Sequence, residues 1–171
     1  MERKGAITFK GAPLTLVGPE LKAGDTAPDF TATGGDLKPV KLSDFKGQTV
    51  VISAVPSLDT PVCEIQTKKF NQEAAGLNAK VLTISVDLPF AQKRFCDAFK
   101  IQNVQVISDY KDRDFAQKYG LWIKELGLLS RAVIVVGKNG KIQHFELVKE
   151  VTQEPNYSAA IQNVKSAVGV A

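Results

Sequence analysis

The stretch Thr49-Val50-Val51-Ile52-Ser53-Ala54-Val55-Pro56-Ser57-Leu58-Asp59-Thr60-Pro61-Val62-Cys63-Glu64 runs from an unbroken β-branched segment straight into a helix start. Residues 49–55 lack the apolar–polar alternation of a half-exposed strand, so they read as a strand covered on both faces. Lys80-Val81-Leu82-Thr83-Ile84-Ser85-Val86 has the same character, and two such strands joined through a helix are expected to lie parallel. Between them, residues 61–75 carry Ile65, Phe70 and Ala74, with Leu77 beyond, at mixed helical spacings and stop at Gly76, a helix with a glycine stop.

Downstream, the spacing predicts a second helix over 90–99, a short strand over 104–108 and a helical turn over 114–119, which completes a β-α-β-α-β order. After Arg131, Ala132-Val133-Ile134-Val135-Val136, the turn Gly137-Lys138-Asn139-Gly140 and the run 141–148 form a β-hairpin signal containing Asn-Gly. A closing helix is expected over 158–168. This order predicts an α/β, thioredoxin-like fold with a central mixed sheet flanked by helices. At the N-terminus, Ile7, Phe9, Leu14 and Leu16 alternate with polar or small residues across Gly11-Ala12-Pro13, which predicts a β-hairpin extension decorating an edge. Residues 22–47 are rich in Gly, Pro, Asp and Thr and read as loop with short extended pieces rather than as a linker. A chain of 171 residues suits one domain, expected over 1–171.

Composition narrows the function. The chain is 44% hydrophobic and 23% charged, near the soluble globular average. Its 22 Lys and Arg against 18 Asp and Glu give a net charge of +4, but the charges are scattered. The basic pairs Lys68-Lys69 and Lys93-Arg94 lie on predicted helix faces, which argues for a solvated surface and against a nucleic-acid partner. No run of about 20 apolar residues is present to span a membrane. The charged start Met1-Glu2-Arg3-Lys4-Gly5 has no apolar core of a secretory signal behind it. The expectation is a cytoplasmic protein, with the periplasm left open. In a reducing cytosol two cysteines are either buried thiols or redox chemistry.

Thr60 followed by Pro61 is a good pair for the cap and first position of a helix, which puts Cys63 in the first turn. Unpaired backbone N–H groups and the positive end of the helix dipole favour a thiolate there. The plain alternative is that Cys63 is one more small buried hydrophobe and Thr60 only a cap. Cys96, in Lys93-Arg94-Phe95-Cys96-Asp97, lies inside the second helix; it is not part of a Cys-x-x-Cys pair and on its own reads as a helix residue facing the core. Arg131 precedes a buried strand, where a guanidinium is costly unless it meets an anion such as a thiolate; the alternative is a surface residue at a strand start. His144 has no acidic cluster with it and reads as structural, so neither a zinc site nor a Cys-His dyad is indicated. No cofactor motif is present.

At these residues the sequence resembles the peroxiredoxins, whose signature is Pro, three residues, Thr or Ser, two residues, Cys, here Pro56, Thr60 and Cys63. Ser57-Leu58-Asp59-Thr60-Pro61-Val62-Cys63, Cys96, Ser130-Arg131-Ala132-Val133 and Gly24-Asp25-Thr26-Ala27-Pro28-Asp29-Phe30 resemble the bacterial thiol peroxidase branch, the atypical two-cysteine type. The resemblance implies that Cys63 attacks hydrogen peroxide and alkyl hydroperoxides, that Thr60 and Arg131 orient the peroxide, that Pro56 shields the pocket, and that Cys96 resolves the oxidised Cys63 within the same chain. It also implies thioredoxin as reductant, a homodimer and a preference for alkyl hydroperoxides. Glu64 departs from the small residue expected after the cysteine and leaves pocket polarity open. Because a cysteine in the first turn of a packed helix cannot easily meet one in another helix, the reduced form is expected to keep the two apart until local unwinding brings them together. The rival readings are a thiol-disulfide oxidoreductase, opposed by the missing Cys-x-x-Cys, and a non-catalytic binding protein with buried cysteines.

Overall fold

A computed structural model describes residues 1–168. Its strands are β1 (Glu2–Phe9), β2 (Ala12–Val17), β3 (Thr31–Thr33), β4 (Pro39–Lys41), β5 (Val50–Ala54), β6 (Lys80–Ser85), β7 (Gln105–Ser108), β8 (Trp122–Ile123), β9 (Leu128–Leu129), β10 (Ala132–Val136) and β11 (Ile142–Leu147). The helices are α1 (Pro61–Ala74), α2 (Pro89–Phe99), α3 (Asp114–Lys118) and α4 (Tyr157–Ala167), with a short 3-10 turn at Leu42–Phe45.

A seven-stranded sheet runs in the order β11-β10-β5-β6-β7-β3-β4. Strands β5, β6 and β7 are parallel, Ile52 lying opposite Leu82 and Thr83 opposite Val106. Strand β10 is antiparallel to β11, as expected from the Asn-Gly turn, and also antiparallel to β5. The continuous apolar runs have their cause in two covered faces. Val51, Val81, Val133 and Val135 pack with Phe70 of α1 and Ala160 and Val164 of α4. The alternate residues Ile52, Leu82, Ile84 and Ile134 pack on the opposite side with Phe115 and Ala116 of α3. Residues 22–47 are largely loop, yet β3 and β4 extend the sheet beyond β7.

The N-terminal hairpin differs from the expected edge decoration. Its turn lies at Lys10 and Gly11, with Ala12 and Pro13 already in β2. The hairpin does not join the main sheet. It builds a second, four-stranded sheet in the order β1-β2-β8-β9, over a small core of Ile7, Leu14, Leu16, Ile123 and Val151. The backbones touch where the hairpin leaves this sheet: a Cβ on Gly120 (φ +64) would fall 1.9 Å from the Pro19 carbonyl oxygen, so only glycine fits. Arg3 also donates to the Gly120 carbonyl there.

Candidate active site

Strand β5 delivers the chain to Pro56, which is buried, and the loop that follows is held by one carboxylate. Asp87, just beyond β6, accepts from the Ser57 hydroxyl at 2.8 Å, the Leu58 N–H at 2.8 Å and the Ser85 hydroxyl at 2.7 Å. Thr60 occupies the cap position of α1 in an extended conformation, with Pro61 behind it. Its side chain does not cap, contrary to the sequence expectation: the hydroxyl donates to the Ser57 carbonyl at 3.0 Å. Proline at the first helical position has no N–H to satisfy, which lessens the need for a cap.

Cys63 follows in the first turn, where it is fully buried with Val55 and Leu58 and flanked by Phe95 and Val106. The Thr67 hydroxyl donates to its carbonyl at 2.9 Å. Its sulfur accepts from Nη2 of Arg131 at 3.3 Å. Arg131 is only 2% exposed, and two further donors fix its plane. Nε donates to the Val151 carbonyl at 2.9 Å and Nη1 to Oε1 of Gln66 at 2.9 Å. Gln66, itself fully buried, donates Nε2 to the Ser53 hydroxyl of β5 at 2.7 Å.

A guanidinium stays charged, and burying one costs several kcal/mol unless an anion lies against it. Among the described residues Arg131 forms no ion pair with a carboxylate. The Cys63 sulfur is the group that its Nη2 faces.

Cys96 sits on α2, half-buried, and both cysteines are free thiols. Burial pushes the Cys96 thiol up from its ordinary range, and the neighbouring Asp97 carboxylate adds to the effect. The two thiols belong to different apolar clusters, and Phe95 packs against both. The end of α2 closes on Cys96: its carbonyl accepts from the N–H groups of Lys100 and of Ile101, the latter at 2.9 Å. Lys100 adopts a left-handed conformation (φ 53°) that glycine usually supplies at this position.

Between the Ser57 loop and α2 lies a cavity of about 420 Å³ bordered by Ser57, Leu58, Asp87, Arg94, Phe95 and Phe99. Glu64 turns away to pair with Lys68 on the surface at 2.6 Å. His144 faces Asn163 of α4 at 3.3 Å, and burial keeps its imidazole below the usual range. No cluster of metal-ligating side chains occurs among the described residues.

The structure therefore brings Cys63, Arg131 and Thr60 to one end of the parallel strands and leaves Cys96 in a separate cluster. Sequence reasoning missed Gln66 and Asp87. Gln66 lies three residues after Cys63, on the same helical face, and Asp87 follows the C-terminal end of a parallel strand, where ligand sites of such sheets gather; these were the available signals.

A Redoxin family model matches residues 22–161. The thiol peroxidase of Oceanobacillus iheyensis is 54% identical over 92% of this chain and 97% of its own, and that of Bacillus subtilis 50% identical over 95% and 98%. The crystal structure of a peroxiredoxin-like protein from Aquifex aeolicus superposes with a TM-score of 0.90 at 48% identity, covering 96% of this chain and 99% of that one. Its thioredoxin-like sheet, the loop and helix around Cys63 and these likenesses agree: the chain belongs to the Redoxin family and, within it, to the thiol peroxidases.

Proposed function

We propose that the protein is a thiol-dependent peroxidase in which Cys63 reduces hydrogen peroxide and organic hydroperoxides. The observation that carries this reading is the buried Arg131 guanidinium donating to the Cys63 sulfur at 3.3 Å, with no carboxylate paired to it among the described residues. The Cys63 thiolate attacks one peroxide oxygen, the O–O bond breaks, and hydroxide or alkoxide leaves and takes a proton to give water or alcohol. A sulfenic acid remains on Cys63. Arg131 stabilises charge moving onto the leaving oxygen, joined by the Thr60 hydroxyl once it turns from the Ser57 carbonyl to which it donates, and Pro56 closes the pocket from water. The cavity beside the Ser57 loop, whose border includes Leu58, Phe95 and Phe99 together with Asp59, Asp87 and Arg94, is the proposed place for the chain of an alkyl hydroperoxide.

The Cys96 thiol then attacks the sulfenic sulfur; an intramolecular disulfide forms and water is released. Because the two cysteines lie in different clusters and α2 is intact around Cys96, the end of that helix unwinds first. Thioredoxin is proposed as the dithiol that reduces the disulfide, and a homodimer in the cytoplasm as the working form, folded as one domain. No helix among the described residues is long and apolar enough to cross a membrane.

Coupled peroxide consumption with thioredoxin tests the reading. Cys63→Ser is expected to abolish turnover, and Cys96→Ser to permit one oxidation per chain without cycling. Equal turnover by wild type and Cys63→Ser would overturn it.

A further inference from the structure

We propose that the N-terminal hairpin is part of the catalytic apparatus, because it positions the Arg131 guanidinium through Val151. This rests on the reading that Arg131 acts on Cys63. Three directions meet in Val151. Its side chain, 3% exposed, is buried in the hairpin's own core with Ile7, Leu14, Leu16 and Ile123. Its N–H donates to the Thr8 carbonyl at 2.9 Å, while the Thr8 N–H donates to the Lys149 carbonyl at 2.7 Å. Its own carbonyl accepts from Nε of Arg131 at 2.9 Å. Thr8 belongs to β1, so the hairpin grips residues 149–151 on both sides of Glu150, next to the peptide whose oxygen holds the guanidinium.

Glu150 fastens the same junction. Its carboxylate accepts from the Thr8 hydroxyl at 3.0 Å and the Gly11 N–H at 2.9 Å, and from the Thr152 N–H at 2.9 Å and hydroxyl at 2.6 Å. These donors, the Thr152 hydroxyl foremost, bring its carboxyl down to about 2.

The geometry explains why this matters for the reaction. A guanidinium is planar, and two anchored donors fix the direction of the third. Gln66 holds Nη1 and Val151 holds Nε, which leaves Nη2 aimed at the sulfur. If the Val151 carbonyl shifts, the plane tilts and Nη2 leaves Cys63, although no residue touching the peroxide has changed. Misplacement by 1 Å costs a reaction of this kind up to about 100-fold.

The test is the rate of the first Cys63 oxidation by hydrogen peroxide, followed by stopped flow, in Val151→Ala and Glu150→Ala, each made in the wild-type chain and in Arg131→Met. Circular dichroism confirms that each variant is folded at the assay temperature; Glu150→Ala, at the surface, serves if Val151→Ala does not fold. With Arg131 present the expected slowing is about tenfold for Val151→Ala and about threefold for Glu150→Ala. With Met at 131 neither variant slows the reaction further, a non-additivity that general destabilisation does not produce. Equal slowing in both backgrounds, or no slowing in either, would overturn the proposal. If Arg131→Met by itself leaves the rate unchanged, the catalytic reading of Arg131 fails first and the hairpin's role with it.

Discussion

Cys63 and Cys96 are held by their surroundings in opposite ways. Cys63 lies in the first turn of α1, fully buried, with a guanidinium on its sulfur, a threonine hydroxyl on its carbonyl and the preceding loop tied down by Asp87. Cys96 lies near the end of α2, half-buried, its thiol pushed up by burial and by Asp97. The turn beyond it closes through Lys100, a residue with a side chain in a left-handed conformation. One cysteine is fixed in place and offered a counter-charge; the other sits in a helix end whose cap, Lys100, holds a left-handed conformation that glycine adopts at less cost. In the proposed reaction the Cys96 thiol must become a thiolate and travel, and unwinding the end of α2 would serve both needs by lifting its burial.

The largest break in this comparison comes from removing the counter-charge. Arg131→Met is expected to lower the rate of the first oxidation by about 10²–10³, the cost of losing one charge-stabilising donor, as read by stopped flow with hydrogen peroxide. The disulfide step should change far less, so an equal loss in both steps would erase the distinction between the two cysteines. Lys100→Gly acts in the opposite sense. Relieving the left-handed strain stabilises the end of α2 by ~1 kcal/mol, which should slow disulfide formation about fivefold and leave the first oxidation untouched.

The smallest expected effect is electrostatic. Asp97 disfavours the Cys96 thiolate, so Asp97→Asn should lower the titration of Cys96 and raise its alkylation by iodoacetamide near neutral pH about twofold, measured in Cys63→Ser. Desolvation is the larger cause and stays in place, so most of the suppression persists. The linkage has a definite sign. A thiol raised above its ordinary 9.0 when folded holds its proton longer than the unwound turn does. Rising pH through that window therefore favours unwinding, and disulfide formation should accelerate there.

Much of the fold was legible because strands covered on both faces appear as uninterrupted β-branched runs: β5, β6 and β10 lie where residues 49–55, 80–86 and 132–136 placed them. The Thr60-Pro61 pair located the start of α1 for a local steric reason. Strands β8 and β9, two residues each, carry no pattern of their own; they exist because the hairpin pairs Leu16 with Ile123 across the chain. That long-range pairing is also why the hairpin looked ornamental. Cys63 and Arg131 were visible as candidates, but their contact was not, since the position of Arg131 depends on Gln66 and Val151. A glutamine on a helix among charged residues reads as solvated, and only the finished packing shows Gln66 to be buried. The Thr60 hydroxyl, expected to cap α1, turns to the Ser57 carbonyl because the loop held by Asp87 presents an acceptor there.

The most direct test of the account is the intact mass of the reduced wild-type chain after one equivalent of hydrogen peroxide, read under non-reducing denaturing conditions and mapped by peptides. The predicted product is a monomer lighter by two hydrogens, with Cys63 joined to Cys96. A chain heavier by one oxygen at Cys63 with Cys96 still free, or a bond between two chains, would contradict it.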